Sequence, residues 1–212
     1  MDIKLLQLEM LTNLGDEIDL LIGNISEFNR NESKILQKQY YELDSEVELS
    51  DNDKWSIQEN LIDLNEELKE VEELSYELGI IALYKKIEIT TKRAIKIVYS
   101  DIDQKKLFKF KELKKSLKDK NIDLESIVNF HAMDELRCLN NSIKHSNMVN
   151  NELAKYEGWE ENKELSGLKS VFVRLNPLCR QYLDDILHIF KLKYKELEEN
   201  KLKESSIPCP NA

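Results

Sequence analysis

Residues 57–71, IQENLIDLNEELKEV, carry the repeat that decides the fold class. Large aliphatic side chains recur there in alternating steps of four and three residues, at Ile57, Leu61, Leu64, Leu68 and Val71. That spacing places all five on one seam of an α-helix, as in a coiled coil. The seam predicts a helix that must bury one side against a partner.

Two arrangements satisfy this seam. In one, the helix packs as an antiparallel hairpin on an earlier helix of the same chain; in the other, it contacts a second protomer or another protein. The first thirty residues offer a partner helix, because apolar residues recur at spacings of three and four, at Leu8, Leu11, Ile18, Leu21, Ile22, Ile25 and Phe28. A second helical piece is predicted over residues 32–41, before an acidic connection with Ser50, Asn52 and Asp53 as candidate caps. A seam this short is compatible with both arrangements.

The composition of the whole chain agrees with a helical protein. Its 212 residues include only five glycines and three prolines, so the residues that tight β-turns require are scarce. The predicted class is all-α. The three cysteines, Cys138, Cys179 and Cys209, are odd in number, far apart and without metal-ligand spacing, so neither a disulfide framework nor a zinc site is indicated, which fits a reducing cytoplasm. No apolar run is long enough to span a membrane, and the first residues are unlike an export signal.

Charge divides the chain into two parts. Residues 1–77 carry 21 acidic and 6 basic side chains, whereas residues 78–212 carry 20 acidic and 25 basic ones. The net charge of −10 therefore does not exclude RNA binding by the second part. We expect an acidic helical hairpin or coiled-coil region over 1–75, a helical domain over 76–203 and a disordered tail over 204–212.

A lysine-rich stretch lies in the second part. Residues 105–120, KKLFKFKELKKSLKDK, contain eight lysines, with Phe108 and Phe110 among them. Such a run is either a solvated helix face or a surface that follows a phosphate backbone. The candidate RNA-binding residues are Lys105, Lys106, Lys109, Lys111, Lys114 and Lys115.

Several shorter signals place the remaining elements. Gly79 is a weak point in the long helix, and a new helix is predicted to begin near Asp123. Residues 151–169 form the longest predicted loop, and residues 170–174, SVFVR, resemble a short strand. The pair Asn176-Pro177 is typical of a helix start.

Residues 134–145, DELRCLNNSIKH, carry the candidate chemistry. At 100° per residue, Asp134, Arg137, Asn141 and His145 lie within a sector of about 80°, beside the apolar stripe. Histidine can act as a general acid or base, arginine can clamp a phosphate, and asparagine can orient either the imidazole or a ribose hydroxyl. With Lys144, these groups suffice for metal-independent RNA cleavage by attack of the 2′-hydroxyl. The alternative is a structural stripe in which Asp134 and Arg137 form an ordinary helix-surface ion pair.

One motif in this stretch resembles a known family. The segment NNSIKHS, residues 140–146, follows an amphipathic helix that carries Glu88, and this arrangement is similar to the HEPN families over roughly residues 76–195. In those families an arginine is followed by a polar residue, often asparagine, then by three residues and a histidine. Asn141 and His145 match the second half of that pattern, but Asn140 stands where the arginine is expected, and Arg137 is the nearest arginine.

The resemblance implies a fold and a function. The fold would be a HEPN-like helical bundle with an additional N-terminal acidic hairpin, paired as a homodimer that holds RNA between the motif helices. The function would be a metal-independent endoribonuclease in bacterial defence or a toxin, without a cofactor, and residues 1–75 would bind an antitoxin or another defence protein. The catalytic residues would be Arg137, Asn141 and His145, and the auxiliary ones Lys144, Asn140 and Asp134.

The shifted arginine leaves alternatives open. Arg137 would serve the same phosphate from one turn further down the helix, or the domain has kept the fold and lost the nuclease. In the second case the protein is a catalytically inactive adaptor that dimerises and binds a protein partner. A third reading, an acidic mimic of nucleic acid, uses the charge of residues 1–77 but leaves the motif unexplained.

Overall fold

The structure is a computed structural model that describes residues 2–12 and 15–205, and over these residues it is all-α, as the sequence predicts. Its helices are α1 (Ile3–Leu11), α2 (Glu17–Glu42), α3 (Asp51–Val98), α4 (Phe110–Lys118), α5 (Phe130–His145) and α6 (Leu168–Ser205). Short 3₁₀ turns occur at Leu43–Ser45, Gln104–Phe108, Leu124–Ser126 and Leu153–Lys155. None of the helices in the described part combines the length and apolarity that crossing a bilayer requires.

Helices α2 and α3 form an antiparallel hairpin within the chain. The Ser33 hydroxyl donates to Oδ1 of Asn65 at 2.6 Å, and the Asn29 amide donates to the carbonyl of Leu68 at 2.7 Å. The residue numbers rise on one helix as they fall on the other, so the two helices run in opposite directions. The Ser50 hydroxyl accepts from the amide of Asp53 and caps the start of α3.

Helix α3 continues without a break into the core. The boundary expected between residues 75 and 76 falls inside this 48-residue helix. Its second half packs with α5 and α6 around large buried side chains, among them Ile80, Leu83, Ile95, Leu136, Leu139, Leu183, Ile186 and Phe190. The helix runs unbroken through Gly79. A Cβ there would lie 2.4 Å from Cδ1 of Ile22 and 3.3 Å from the Phe172 ring, so the missing side chain leaves room for these residues of α2 and α6 to pack against α3.

The N-terminal elements also contact α6. In α1, Leu8 is fully buried, and the Tyr194 hydroxyl donates to Oδ2 of Asp2 at 2.7 Å. At the start of α2, Asp19 accepts from Asn176 at 2.6 Å and from Arg180 at 2.7 Å. The acidic N-terminal region is therefore fastened to the body of the molecule by both of its first two helices.

The N-terminal stripe is divided between two helices rather than carried by one. Helix α1 ends at Leu11, and α2 begins at Glu17 and runs unbroken through residues 32–41, where a separate piece was predicted. The division lets Leu8 pack on α3 and α6 while Ile22 packs beside Gly79. A pattern of three-and-four spacing cannot show such a break, because both helices follow the same period.

The predicted strand over residues 170–174 and the helix start at Asn176-Pro177 are both wrong. Helix α6 begins at Leu168, and Pro177 lies inside it. Buried residues recur with a helical period across this stretch, at Leu168, Phe172, Leu175 and Cys179, so core packing outweighs the hydrogen bond that proline removes. The Asn176 side chain binds Asp19 and Arg180 and does not cap a helix.

The helix predicted near Asp123 begins later. Asp123 instead caps the 3₁₀ turn Leu124–Ser126 by accepting from the amide of Glu125, and α5 starts at Phe130. At the other end of the chain, α6 extends to Ser205. Of the predicted disordered tail, residues 206–212 lie outside the described residues.

Candidate functional site

Helix α5 positions most of the candidate residues. It follows Asn129, whose φ of 62° turns the chain into the helix, and it ends at His145. The side chains of Leu136, Leu139 and Ile143 are buried in the core, as the periodicity predicts. The neighbouring polar stripe therefore lies along the edge of the packed face.

Carboxylates hold Arg137 from two directions. Its Nε donates to Oδ1 of Asp134 at 2.7 Å, and both terminal nitrogens lie 3.3 Å from Oε2 of Glu152. Its guanidinium also lies 4.9 Å from the centre of the Phe110 ring, and the side chain is only 15% exposed. Burial alone would lower the pKa of Arg137, but the bond to Asp134 and the charges of Asp134 and Glu152 outweigh it and raise the pKa above its ordinary value.

Asp134 serves as an anchor behind Arg137. Its second oxygen accepts from the Tyr156 hydroxyl at 2.7 Å, and burial together with this bond raises the pKa of Tyr156. The Tyr156 ring in turn contacts His131, with 4.6 Å between ring centres. Asp134 thus fixes the orientation of Arg137 and ties α5 to the loop that follows it.

A cleft of about 330 Å³ opens between α3, α5 and the segment that leads into α4. It is lined by Arg137, Asn140, Asn141 and Lys144 from α5, by Tyr84, Glu88 and Lys92 from α3, and by Leu107, Phe108, Phe110 and Leu113. The structure therefore brings together four of the six catalytic and auxiliary residues that the sequence predicts for the site.

Two of the three cations that line this cleft, Arg137 and Lys92, are paired with carboxylates. Lys92 pairs with Glu88 at 2.7 Å, and its Nζ lies 4.9 Å from the centre of the Phe108 ring. Lys144 is exposed. Burial, followed by the charge of Glu88, raises the pKa of Tyr84 to about 12, so its hydroxyl stays protonated at neutral pH. Counting Asp134 and Glu152 beside Arg137, three cations meet three carboxylates at the cleft, and Lys144 is the exposed cation that an anionic ligand would reach first.

Asn140 contributes a buried polar group to the cleft. Its side chain is 1% exposed, its amide nitrogen lies 3.4 Å from Oδ1 of Asn141, and its Oδ1 has no hydrogen-bond partner among the described residues. An unpaired buried carbonyl costs free energy, on the order of 1–3 kcal/mol. Because this oxygen is itself buried, a ligand reaches it only after the neighbouring side chains move.

His145 lies outside the cleft. It is the last residue of α5 and is exposed, and it is absent from the cleft lining. It comes eight positions after Arg137, which corresponds to about 12 Å along the helix axis. Within one protomer the two side chains therefore do not converge on one point.

Most of the candidate RNA-binding lysines are exposed. Lys105, Lys106, Lys109, Lys111 and Lys115 lie on the surface, whereas Lys114 is half-buried, pairs with Glu125 and lies over the Phe130 ring. Phe108, which lines the cleft, is 76% exposed. The lysine-rich surface is therefore continuous with one wall of the cleft.

Sequence reasoning missed Tyr84, Lys92 and Glu152 as residues of the site. The spacing of Glu88 and Lys92 is a signal for a helix-surface pair and gives no indication of a cleft. Glu152 reaches Arg137 from the loop after α5, and no local pattern predicts that contact.

Within the described ranges, no three His, Cys, Asp or Glu side chains group closely enough to hold a metal ion. Comparisons with protein-family models, with curated proteins and with solved structures gave no match to this chain.

Proposed function

We propose that this protein is a metal-independent endoribonuclease of the HEPN type and that the cleft between α3 and α5 binds the RNA backbone. One observation carries the proposal: Arg137, Asn141 and Lys144 line a single open cleft from successive turns of α5, together with Lys92. A phosphodiester would pair with the exposed Lys144 and compete with Glu152 and Glu88 for Arg137 and Lys92.

The other cleft residues suit a nucleotide. Phe108 offers an exposed ring for stacking a base, and the half-buried Asn141 in the cleft lining offers an amide to a ribose hydroxyl. Contacts of this kind distinguish RNA from DNA through the 2′-hydroxyl and read little base sequence.

Cleavage would proceed by attack of the 2′-oxygen on the adjacent phosphorus. A bond forms between the 2′-oxygen and phosphorus, and the bond between phosphorus and the 5′-oxygen breaks, leaving a cyclic phosphate and a 5′-hydroxyl. One group must take the proton of the 2′-hydroxyl, and another must protonate the leaving 5′-oxygen. His145 is suited to proton transfer, while Arg137 and Lys144 would stabilise the negative charge that develops on the phosphate.

The position of His145 favours a homodimer in this proposal. It lies about 12 Å along α5 from Arg137, and each chain supplies one such histidine. In a two-fold arrangement of α5 helices, the histidine of one protomer can approach the phosphate that Arg137 of its partner holds, and two histidines supply both proton transfers. A role in bacterial defence or as a toxin, in the cytoplasm, follows from the HEPN resemblance alone.

A second function is favoured by the contacts of Arg137. Its donors are engaged by Asp134 and Glu152, and His145 is absent from the cleft lining, which suits an inactive adaptor that dimerises and binds a protein partner. The two proposals differ in whether a bound RNA is cut.

An RNA cleavage assay separates them. The purified full chain is incubated with a labelled RNA in excess chelator, beside the variants His145→Ala and Arg137→Ala and the control His188→Ala, which alters an exposed histidine on α6. We expect wild type and the control to produce fragments ending in cyclic phosphate, and His145→Ala to cut at least about 100-fold more slowly.

Other results would change the proposal. If a chain shown to be dimeric binds RNA without cutting it, the inactive adaptor is the function that remains. Equal rates for wild type and His145→Ala would remove the histidine from the mechanism. Since Glu152 occupies Arg137 at 3.3 Å, Glu152→Gln tests whether this contact restrains the site, and a faster rate is the expected result.

A further inference from the structure

One side of the α2–α3 hairpin carries two rows of exposed, large apolar side chains. Leu21, Phe28 and Ile35 form the row on α2, and Leu64, Val71 and Leu78 form the row on α3. Each row has a spacing of seven residues, and the six side chains are 46% to 58% exposed. A seven-residue spacing keeps each row on one side of its helix.

The two rows lie on the same side of the hairpin. The contacts of Ser33 with Asn65 and of Asn29 with Leu68 set the register, which places Phe28 level with Val71. Asn29 and Asn65 lie on the sides of α2 and α3 that face each other, and Phe28 and Leu64 each come one residue earlier. Each apolar row is therefore rotated by about 100° about its helix axis, away from the facing side and toward earlier residues in both helices. Because the helices are antiparallel, equal rotations bring both rows to one side and form a continuous apolar strip.

The opposite side of the hairpin has a different character. There a groove of about 600 Å³ is lined mainly by polar residues, among them Ser26, Arg30, Lys69 and Glu72, and Lys169 of α6 reaches across to Glu72 at 2.8 Å. The seven-residue rows therefore belong to one side, while the other side has exposed apolar side chains such as Ile62 without that repeat. Two helices whose matched heptad rows no described element covers correspond to a helical bundle that lacks one helix.

The charge around the apolar strip favours one kind of helix as its binding partner. Residues 17–78 carry 18 acidic and 5 basic side chains, and Glu32 and Glu67 lie close to the two rows. A second copy of the hairpin would bring two strongly acidic surfaces together, whereas a basic helix would gain from the same field. We propose that this strip binds a basic amphipathic helix of a partner protein.

This surface is separate from the proposed RNA cleft. The cleft uses Tyr84, Glu88 and Lys92 of α3, beyond the last residue of the apolar row at Leu78. Partner binding can therefore fail without affecting RNA cleavage, and the reverse is also true. The apolar contacts would supply most of the affinity, and the lysines of the partner would supply orientation and salt dependence.

A designed peptide tests the proposal with the full chain. The probe is a labelled helix of about four heptads, with leucine at the a and d positions and lysine at the flanking positions. A matched peptide has glutamate in place of lysine. We expect the lysine peptide to bind in fluorescence anisotropy, the glutamate peptide not to bind, and Phe28→Glu/Val71→Glu to weaken binding at least about tenfold.

Controls on the same helix make the result specific. Ile62→Glu replaces a residue of similar exposure on the other side of α3, and it should change binding by less than about twofold. Circular dichroism shows whether each variant is folded, and Phe28→Ala/Val71→Ala replaces the double glutamate variant if that one is not. Equal binding by wild type and the double variant would overturn the proposal. Self-association of wild type that the double variant abolishes would also overturn it, because the occupant would then be a second copy.

Discussion

Glu135 is a buried carboxylate that joins α5 to two distant parts of the chain. It is 2% exposed and accepts from Nε1 of Trp159 at 2.9 Å and from both terminal nitrogens of Arg174, at 2.9 and 2.6 Å. Since Arg174 is half-exposed, solvent weakens part of this interaction. These bonds nevertheless hold the loop after α5 and the start of α6 against the helix that carries the candidate site.

Replacing Glu135 with glutamine should therefore destabilise the fold. Glutamine has a similar shape but removes the charge and one acceptor, and we expect a loss of about 1.5–3 kcal/mol in the free energy of unfolding. Urea denaturation followed by circular dichroism measures this loss. Glu161→Gln, at an exposed position in the same loop, should change stability by less than about 0.5 kcal/mol. Equal effects of the two substitutions would show that Glu135 has no special role.

The two buried cysteines should resist alkylation. Burial raises the pKa of the Cys138 thiol to about 11 and that of Cys179 to about 12, and the thiolate is the reactive form. At pH 8 the thiolate fraction of Cys138 is then roughly 100-fold below that of an ordinary thiol. Iodoacetamide labelling followed by peptide mass spectrometry should show slow modification of both residues in the native protein and rapid modification in urea. Rapid native labelling of either residue would contradict its burial.

At the scale of elements, the glycines of α2 and α3 predict opposite responses to substitution. A Cβ at Gly79 would lie 2.4 Å from Cδ1 of Ile22 on α2 and 3.3 Å from the Phe172 ring on α6. A Cβ at Gly23 would meet no atom within 4 Å. A side chain at position 79 must therefore displace the end of the Ile22 side chain, whereas Gly23 only lowers the helix propensity of α2.

We expect Gly79→Val to destabilise the protein by about 1–3 kcal/mol, because the added side chain must displace Ile22 or separate the helices. Gly23→Ala should stabilise it by about 0.5–1 kcal/mol. Thermal unfolding of the two variants beside wild type shows whether each substitution lowers or raises the stability. A neutral Gly79→Val variant would mean that the helices separate at little cost.

At the scale of the whole molecule, the proposed RNA binding should depend on the separation of charge between the two parts of the chain. The exposed lysines of the segment around α4 adjoin the cleft, while α2 carries lysines within the acidic hairpin. Each lysine that neutralises a phosphate of single-stranded RNA contributes about 0.7 to the slope of log affinity against log salt concentration.

The double variant Lys105→Gln/Lys109→Gln should therefore lower both RNA affinity and the salt slope, the latter by up to about 1.4. The control Lys34→Gln/Lys38→Gln removes the same charge from α2 and should leave the slope unchanged. Fluorescence anisotropy with a labelled RNA at several salt concentrations provides the slope. If both pairs have the same effect, net charge alone governs binding, and the surface around α4 is not the RNA site.

The sequence by itself determined the features that depend on local periodicity. The spacing of Leu61 and Leu68 predicted a helix, and the chain composition predicted the all-α class. The apolar side of α5, with Leu136, Leu139 and Ile143, also followed from its spacing. Such features are local because residues three and four apart share one side of a helix regardless of what surrounds it.

Only the tertiary structure decided which sides of the helices are covered and which polar groups meet. The strand predicted at residues 170–174 became part of α6 because Phe172 and Leu175 are buried in the core, and core packing outweighs local propensity. Glu152 reaches Arg137 across fifteen residues, and Lys92 joins the α5 side chains from another helix. The same reason accounts for the exposed strip on the hairpin: periodicity predicts an apolar side, but the neighbouring elements determine whether that side is buried.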